Sequence, residues 1–160
     1  MKSKVFVSGS ISIKYLPSAA IFKLDSIIKN NLTVLLGDAN GIDSKVQKYL
    51  SDKSYRNVII YYAGAKIRNN IGNWNTVCVG ENSNLKGRKL YTLKDLQMAK
   101  DADYGMMIWD NKSKGTFANM LEMRKQNKSF YVIDKSGKSI SGKSFLNKTA
   151  APQNAQLDFN

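Results

Sequence analysis

Two kinds of apolar pattern alternate along the chain. Leu32 to Leu36, broken only by Thr33, Asn57 to Tyr62, Tyr104 to Trp109 and Ser129 to Asp134 are short, nearly continuous apolar runs. That is the pattern of strands covered on both faces. Lys4 to Ser8 mixes β-branched and aromatic residues and reads as a first strand. Between these runs the apolar positions change to helical spacing. Ile21, Leu24, Ile27 and Ile28 follow Pro17-Ser18 and stop at Asn30-Asn31. Val46, Tyr49 and Leu50 mark a second helix, a third runs from Thr92 as its cap to about Asp101, and Phe117, Met120 and Leu121 mark one that starts near Gly115-Thr116. Strands alternating with helices at this spacing predict an α/β fold with right-handed crossovers. The expected sheet is parallel and five-stranded, in the order 3-2-1-4-5, with helices on both faces.

Two regions break the rhythm. Residues 63–91 are rich in Gly and Asn, and only Thr76 to Val79 looks strand-like. They read as an inserted hairpin or long functional loop carrying Arg68 and Trp74. Residues 135–160 read as a basic C-terminal extension, a hairpin or short helix followed by a flexible tail, with the main domain at 1–134. Within the extension, Gly137 to Ser144 satisfies G-x-x-x-x-G-K-[ST], the phosphate loop of NTPases. A working phosphate loop continues into a long helix, whereas here sixteen residues remain, Pro152 among them. The NTPase reading therefore ranks last.

Composition narrows the chemistry. At 160 residues and 42% hydrophobic content the chain is long enough for one domain with a core of its own. There is no His, and Cys78 is alone, which argues against a disulfide framework, a zinc site and a His-based triad. No cofactor and no metal is expected. No apolar run approaches ~18 residues and no signal-peptide core opens the chain, so a soluble, cytoplasmic protein with no membrane partner is expected. The net charge of +13 favours anionic partners without choosing among them, because Lys and Arg are scattered rather than gathered in one arm.

In the expected strand order the chain reverses direction between the first and fourth strands, and ligands bind in the crevice at their carboxyl ends. The loops meeting there are Ser8-Gly9-Ser10 and Asp110 to Thr116, with Gly37 to Asp43 beside them. The helix start at Gly115-Thr116 adds free backbone N–H groups and the positive end of a dipole, a setting for phosphate. Only twelve acids are present, and Asp38, Asp43 and Asp110 all fall in these loops. There they would hold ribose hydroxyls, activate water or chelate a cation, or, for Asp43, simply cap a helix.

These residues resemble a family. Gly37-Asp38-Ala39-Asn40-Gly41-Ile42-Asp43 is similar to the G-x-A-x-G-x-D loop of DNA-processing proteins, and Ser113-Lys114-Gly115-Thr116 resembles the core of P-G-G-x-G-T-x-x-E in the LOG phosphoribohydrolases. Both belong to the SLOG superfamily of Rossmann-like nucleotide binders, whose first-strand turn Ser8-Gly9-Ser10 also fits. The resemblance spans about Val5 to Ile133. It departs where Asn111, Lys112 and Ser113 replace Pro-Gly-Gly and where Asn119 replaces the catalytic Glu, with Glu122 one helical turn further on.

The resemblance implies a nucleotide or nucleotide-derived ligand. Ser10, Gly115 and Thr116 would hold its phosphate, and Trp74 or Trp109 would stack on its base. Ser8, Gly9, Gly37, Asn40, Gly41, Asp43, Arg68, Ser113 and Asn119 would complete the binding set. Should the protein be a hydrolase, N-glycosidic cleavage of nucleoside monophosphates would fall to Asp110, Asp38 or Glu122. The alternative is binding of single-stranded nucleic acid without catalysis, and self-association into a homo-oligomer is held open beside both.

Overall fold

The structure is a computed structural model and describes residues 2–149. Its strands are β1 (Lys4–Gly9), β2 (Thr33–Gly37), β3 (Val58–Ala63), β4 (Asn75–Val79), β5 (Tyr104–Trp109), β6 (Phe130–Asp134) and β7 (Ser139–Ser141). The helices are α1 (Ser18–Lys29), α2 (Ile42–Asp52), α3 (Arg88–Asp101), α4 (Lys114–Lys125) and α5 (Gly142–Thr149). One sheet contains all the strands in the order β4-β3-β2-β1-β5-β6-β7, parallel except for the β6-β7 pair.

Successive side chains of a strand point to opposite faces, so a continuous apolar run feeds two cores at once. Val5, Val7, Val34, Leu36, Met106 and Ile108 face α1 and α2, while Phe6, Leu35, Met107 and Trp109 face α3 and α4. The helices answer with Leu24 and Ile27 of α1 and Val46 and Leu50 of α2 on one side, and with Met98 of α3 and Met120 and Met123 of α4 on the other.

The five expected strands are β3-β2-β1-β5-β6, and the sheet is extended by one strand at each edge. At one edge the 63–91 stretch supplies β4, which pairs parallel to β3, with Ile59 opposite Asn75 and Ala63 opposite Val79. It forms no hairpin. As an edge strand it keeps Asn75 and Thr76 exposed, so Thr76 to Val79 reads as strand-like without the doubly apolar run that would place it in the sheet. Thr92 is not a cap either. The third helix begins four residues earlier at Arg88, and Thr92 Oγ1 donates back to the Arg88 carbonyl at 2.9 Å from inside it.

At the other edge β7 closes an antiparallel pair with β6. The phosphate-loop lookalike is thereby accounted for. A strand occupies its middle, with Val132 opposite Ile140, so the backbone is committed to sheet pairing rather than wrapped around an anion. α5 then packs Leu146 into the core. The expected tail at 150–160 lies outside the described residues. No helix among the described residues is long and apolar enough to cross a membrane.

Candidate functional site

β1 and β5 are neighbours, with Gly9 opposite Ile108, and the crossovers on either side of them run to opposite faces of the sheet. Their carboxyl ends therefore open a crevice that neither layer of helices covers. A cleft of about 180 Å3 lies there. It is lined by Ser8 and Gly9 of β1, Gly37, Ala39 and Asp43 of the second loop, and Ser113, Gly115, Thr116 and Asn119 at the start of α4. Arg68, Tyr91, Lys94 and Asp95 complete its wall.

The wall that begins at α4 presents backbone donors. Ser113 is the N-cap, and its Oγ accepts from the Thr116 amide at 3.4 Å. The amides of Lys114 and Gly115 have no acceptor among the described residues, as expected for a first helical turn. A Cβ built on Gly115 meets nothing within 4 Å, so the turn faces open space. Asn119, about one turn further in, is buried and donates from Nδ2 to Ser8 Oγ at 2.8 Å.

The opposite wall is a polar network. Asp38 is 1% exposed, and its carboxylate accepts from the Arg68 amide at 2.9 Å and from the Arg68 guanidinium at 2.7 Å. Asn69 donates to the Asp38 carbonyl and to Asn40 Oδ1. The fully buried Gln47 donates to the carbonyls of Gly37 and Asn69 and accepts from the Ile71 amide. These bonds fasten the 64–74 loop to the end of β2. Arg68 is left with its guanidinium 4.5 Å above the Tyr91 ring at the cleft mouth. Gly41 leads into α2 with φ of +81°, and a Cβ there would lie 2.5 Å from the Ile11 backbone, so both space and conformation demand glycine.

The floor carries charge. Lys94 is 5% exposed, with its ammonium 3.9 Å from Asp38 and 3.8 Å from Asp95, both beyond hydrogen-bond reach. Asp43 lies against the same spot, because a Cβ on Gly37 would meet both Asp43 Oδ2 and Lys94 Nζ at 2.5 and 2.9 Å. Burial pushes the Asp43 carboxyl up to about 6, against the pull of Lys94. Burial also raises Asp95, again opposed by Lys94. Three carboxylates thus share two cations, Lys94 and Arg68, and burial raises two of them, Asp43 and Asp95.

The sequence-derived residues divide accordingly. Ser8, Gly9, Gly37, Asp43, Arg68, Ser113, Gly115, Thr116 and Asn119 meet at the cleft. Asn40 and Gly41 shape its wall from behind. Asp38 lies beneath it as the anchor of Arg68, with no face to a ligand. Ser10 is fully buried; its Oγ accepts from the Asp110 amide, so it joins two loops instead of reaching a phosphate.

Asp110 turns to a neighbouring groove, where Oδ2 accepts from Ser12 Oγ at 2.5 Å and Oδ1 from the amides of Lys112 and Ser113. Burial works to raise its carboxyl, but these bonds prevail and hold it at about 2. An acid so committed is a structural acceptor rather than a base. Trp74 is 4% exposed, donates to the Tyr55 carbonyl and belongs to the core. Trp109 is buried between Phe117 and Phe145. Glu122 accepts from Gln126 and does not line the cleft.

Lys94, Asp95, Gln47 and Asn69 escaped the sequence reading. The available signal was register: Lys94 stands one turn before the buried Met98, in the inward stripe of α3, where a lysine has no reason to be unless a polar site receives it. No group of three or more His, Cys, Asp or Glu among the described residues could hold a metal ion.

No protein-family model matches the chain, and no curated protein matches it. Among solved structures it is similar to DNA processing protein A from Helicobacter pylori, a structure described for its single-stranded DNA binding mode. The TM-score is 0.66 with 16% identity, over 92% of this chain and 73% of that one. At that identity the likeness establishes a shared fold.

Proposed function

We propose that the protein binds single-stranded nucleic acid without cleaving it, seating one nucleotide in the cleft at the carboxyl ends of β1 and β5. The observation that carries this reading is the open first turn of α4 at Gly115, with two unclaimed amides on one side of the cleft and Arg68 on the other. A phosphodiester fits between them, since amides at a helix start and a guanidinium are its natural donors. The acidic floor repels phosphate and accepts hydrogen bonds, so sugar or base donors belong inside and phosphate at the mouth. The likeness to a protein described as binding single-stranded DNA and the net charge of +13 support the same partner.

Titrating labelled single-stranded and duplex DNA at several salt concentrations tests this. Single strands should bind more tightly, with a salt slope reflecting several released counterions. A mononucleotide that competes fully, together with a shallow slope, would favour a free nucleotide as ligand.

One observation favours that second reading. Asp43 gives the cleft a carboxyl that exchanges its proton near pH 6, suited to general acid or base work on a bound nucleotide. Release of free base from a nucleoside monophosphate, abolished by Asp43→Asn, would establish it.

A further inference from the structure

A second groove lies beside the cleft. It has a volume of about 530 Å3 and is lined by Lys14 and Tyr15 after β1, Lys112 after β5 and Lys135 after β6. It therefore opens at the same end of the sheet as the cleft. The ridge between the two is thin. Ile11 and Ser113 line the cleft, and their chain neighbours Ser12 and Lys112 line the groove.

Two features point to an occupant. Tyr15 is 85% exposed, and among the described residues its ring stacks on nothing and its hydroxyl bonds to nothing. Among the described residues the three ammonium groups have no carboxylate within 4.0 Å, while the acid that lines the groove, Asp110, is occupied by Ser12 and two amides. Three unpaired cations around one unpartnered aromatic ring match a nucleic-acid strand, whose phosphates follow the cations while a base stacks on the ring.

Resting on the proposed function, we infer that a single strand seated in the cleft continues across the Ile11-Ser12 ridge into this groove. There its phosphates lie along Lys14, Lys112 and Lys135 and one base stacks on Tyr15. Three successive strand ends each contribute a lysine, so the path crosses the sheet edge from β1 towards β6. The Ser12 to Asp110 hydrogen bond holds the ridge in place between the two halves.

Oligothymidylates of about 4 and about 12 nucleotides, within the range of single-strand site sizes, separate the cleft from the track. Tyr15→Ala should weaken the longer probe roughly ten-fold, Tyr15→Phe should leave it unchanged, and neither should alter the shorter one. Lys14→Ala with Lys135→Ala should lower the salt slope for the longer probe by about 1.4, near 0.7 for each phosphate left without its lysine. If these variants bind the longer probe like the wild type while Gly115→Val binds it poorly, the strand leaves the cleft by another route. The inference then fails and the proposed function stands. If the wild type binds no single strand, both fail.

Discussion

Asn119 Nδ2 donates to Ser8 Oγ at 2.8 Å, across 111 positions of sequence. The bond fastens the start of α4 to the end of β1 at the centre of the cleft, and it is made by the residue that stands where the resembling hydrolases carry glutamate. An amide satisfies the buried Ser8 hydroxyl and holds the helix in place, but it takes no proton. Asn119→Ala leaves that hydroxyl without its partner and should cost about 1–3 kcal/mol of stability, measured as a shift in the denaturant midpoint at unchanged slope.

Asp38 should prove structural. Its carboxylate holds the Arg68 amide and guanidinium, and it is one of two acids within 4 Å of the buried Lys94. Asp38→Ala leaves buried Lys94 with Asp95 alone within 4 Å and frees the 64–74 loop, so a loss of about 3 kcal/mol is expected in equilibrium unfolding. Partial proteolysis of the variant should cut first in that loop.

The cleft acid Asp43 sets a pH dependence whose sign is fixed by burial. Its carboxyl rises from 3.8 to about 6 on folding, so the folded protein holds a proton the unfolded chain has lost. This contribution to stability is fully present below about pH 4 and is lost as pH rises through 6, to a total of at most about 3 kcal/mol. Asp43→Asn should flatten the stability profile between about pH 4 and 6. Protonation also removes a negative charge from the cleft, so single-strand affinity of the wild type should rise as pH falls from 7 to 5.5, and the variant should show no such rise.

Asp110 behaves in the opposite sense. Its carboxyl is lowered from 3.8 to about 2, so its stabilising bonds persist above pH 4 and are lost as pH falls towards 2. An acid with both oxygens engaged in this way is a poor proton acceptor near neutrality. Asp110→Asn should leave base release from nucleoside monophosphates at the wild-type level, measured by separating free base from nucleotide, while lowering the melting temperature at pH 7.

Much of the fold was legible because the apolar runs of β2, β3, β5 and β6 are continuous, which only a doubly covered strand requires. Placing β1 beside β5 then located the cleft, since crossovers of one hand leave a single crevice between them. β4 was legible only in part: Thr76 to Val79 reads as strand-like, but an edge strand with Asn75 and Thr76 in solvent lacks the doubly apolar run, so its place beside β3 was not. The polar wall was hidden because it is made by distant partners. Nothing near Lys94 in sequence announces Asp38, and nothing near Gln47 announces the carbonyls of Gly37 and Asn69. Trp74 and Asp110 misled because residue type suggested a role that burial and hydrogen bonding had already taken.

Binding of labelled single-stranded DNA to Gly115→Val asks whether the open first turn of α4 receives a phosphodiester. A Cβ at Gly115 meets no neighbour, so the variant should melt like the wild type while its branched side chain covers the free amides of the turn. A folded protein is expected whose single-strand affinity falls at least about ten-fold, the equivalent of 1.4 kcal/mol. A folded variant that binds single-stranded DNA as tightly as the wild type would contradict it.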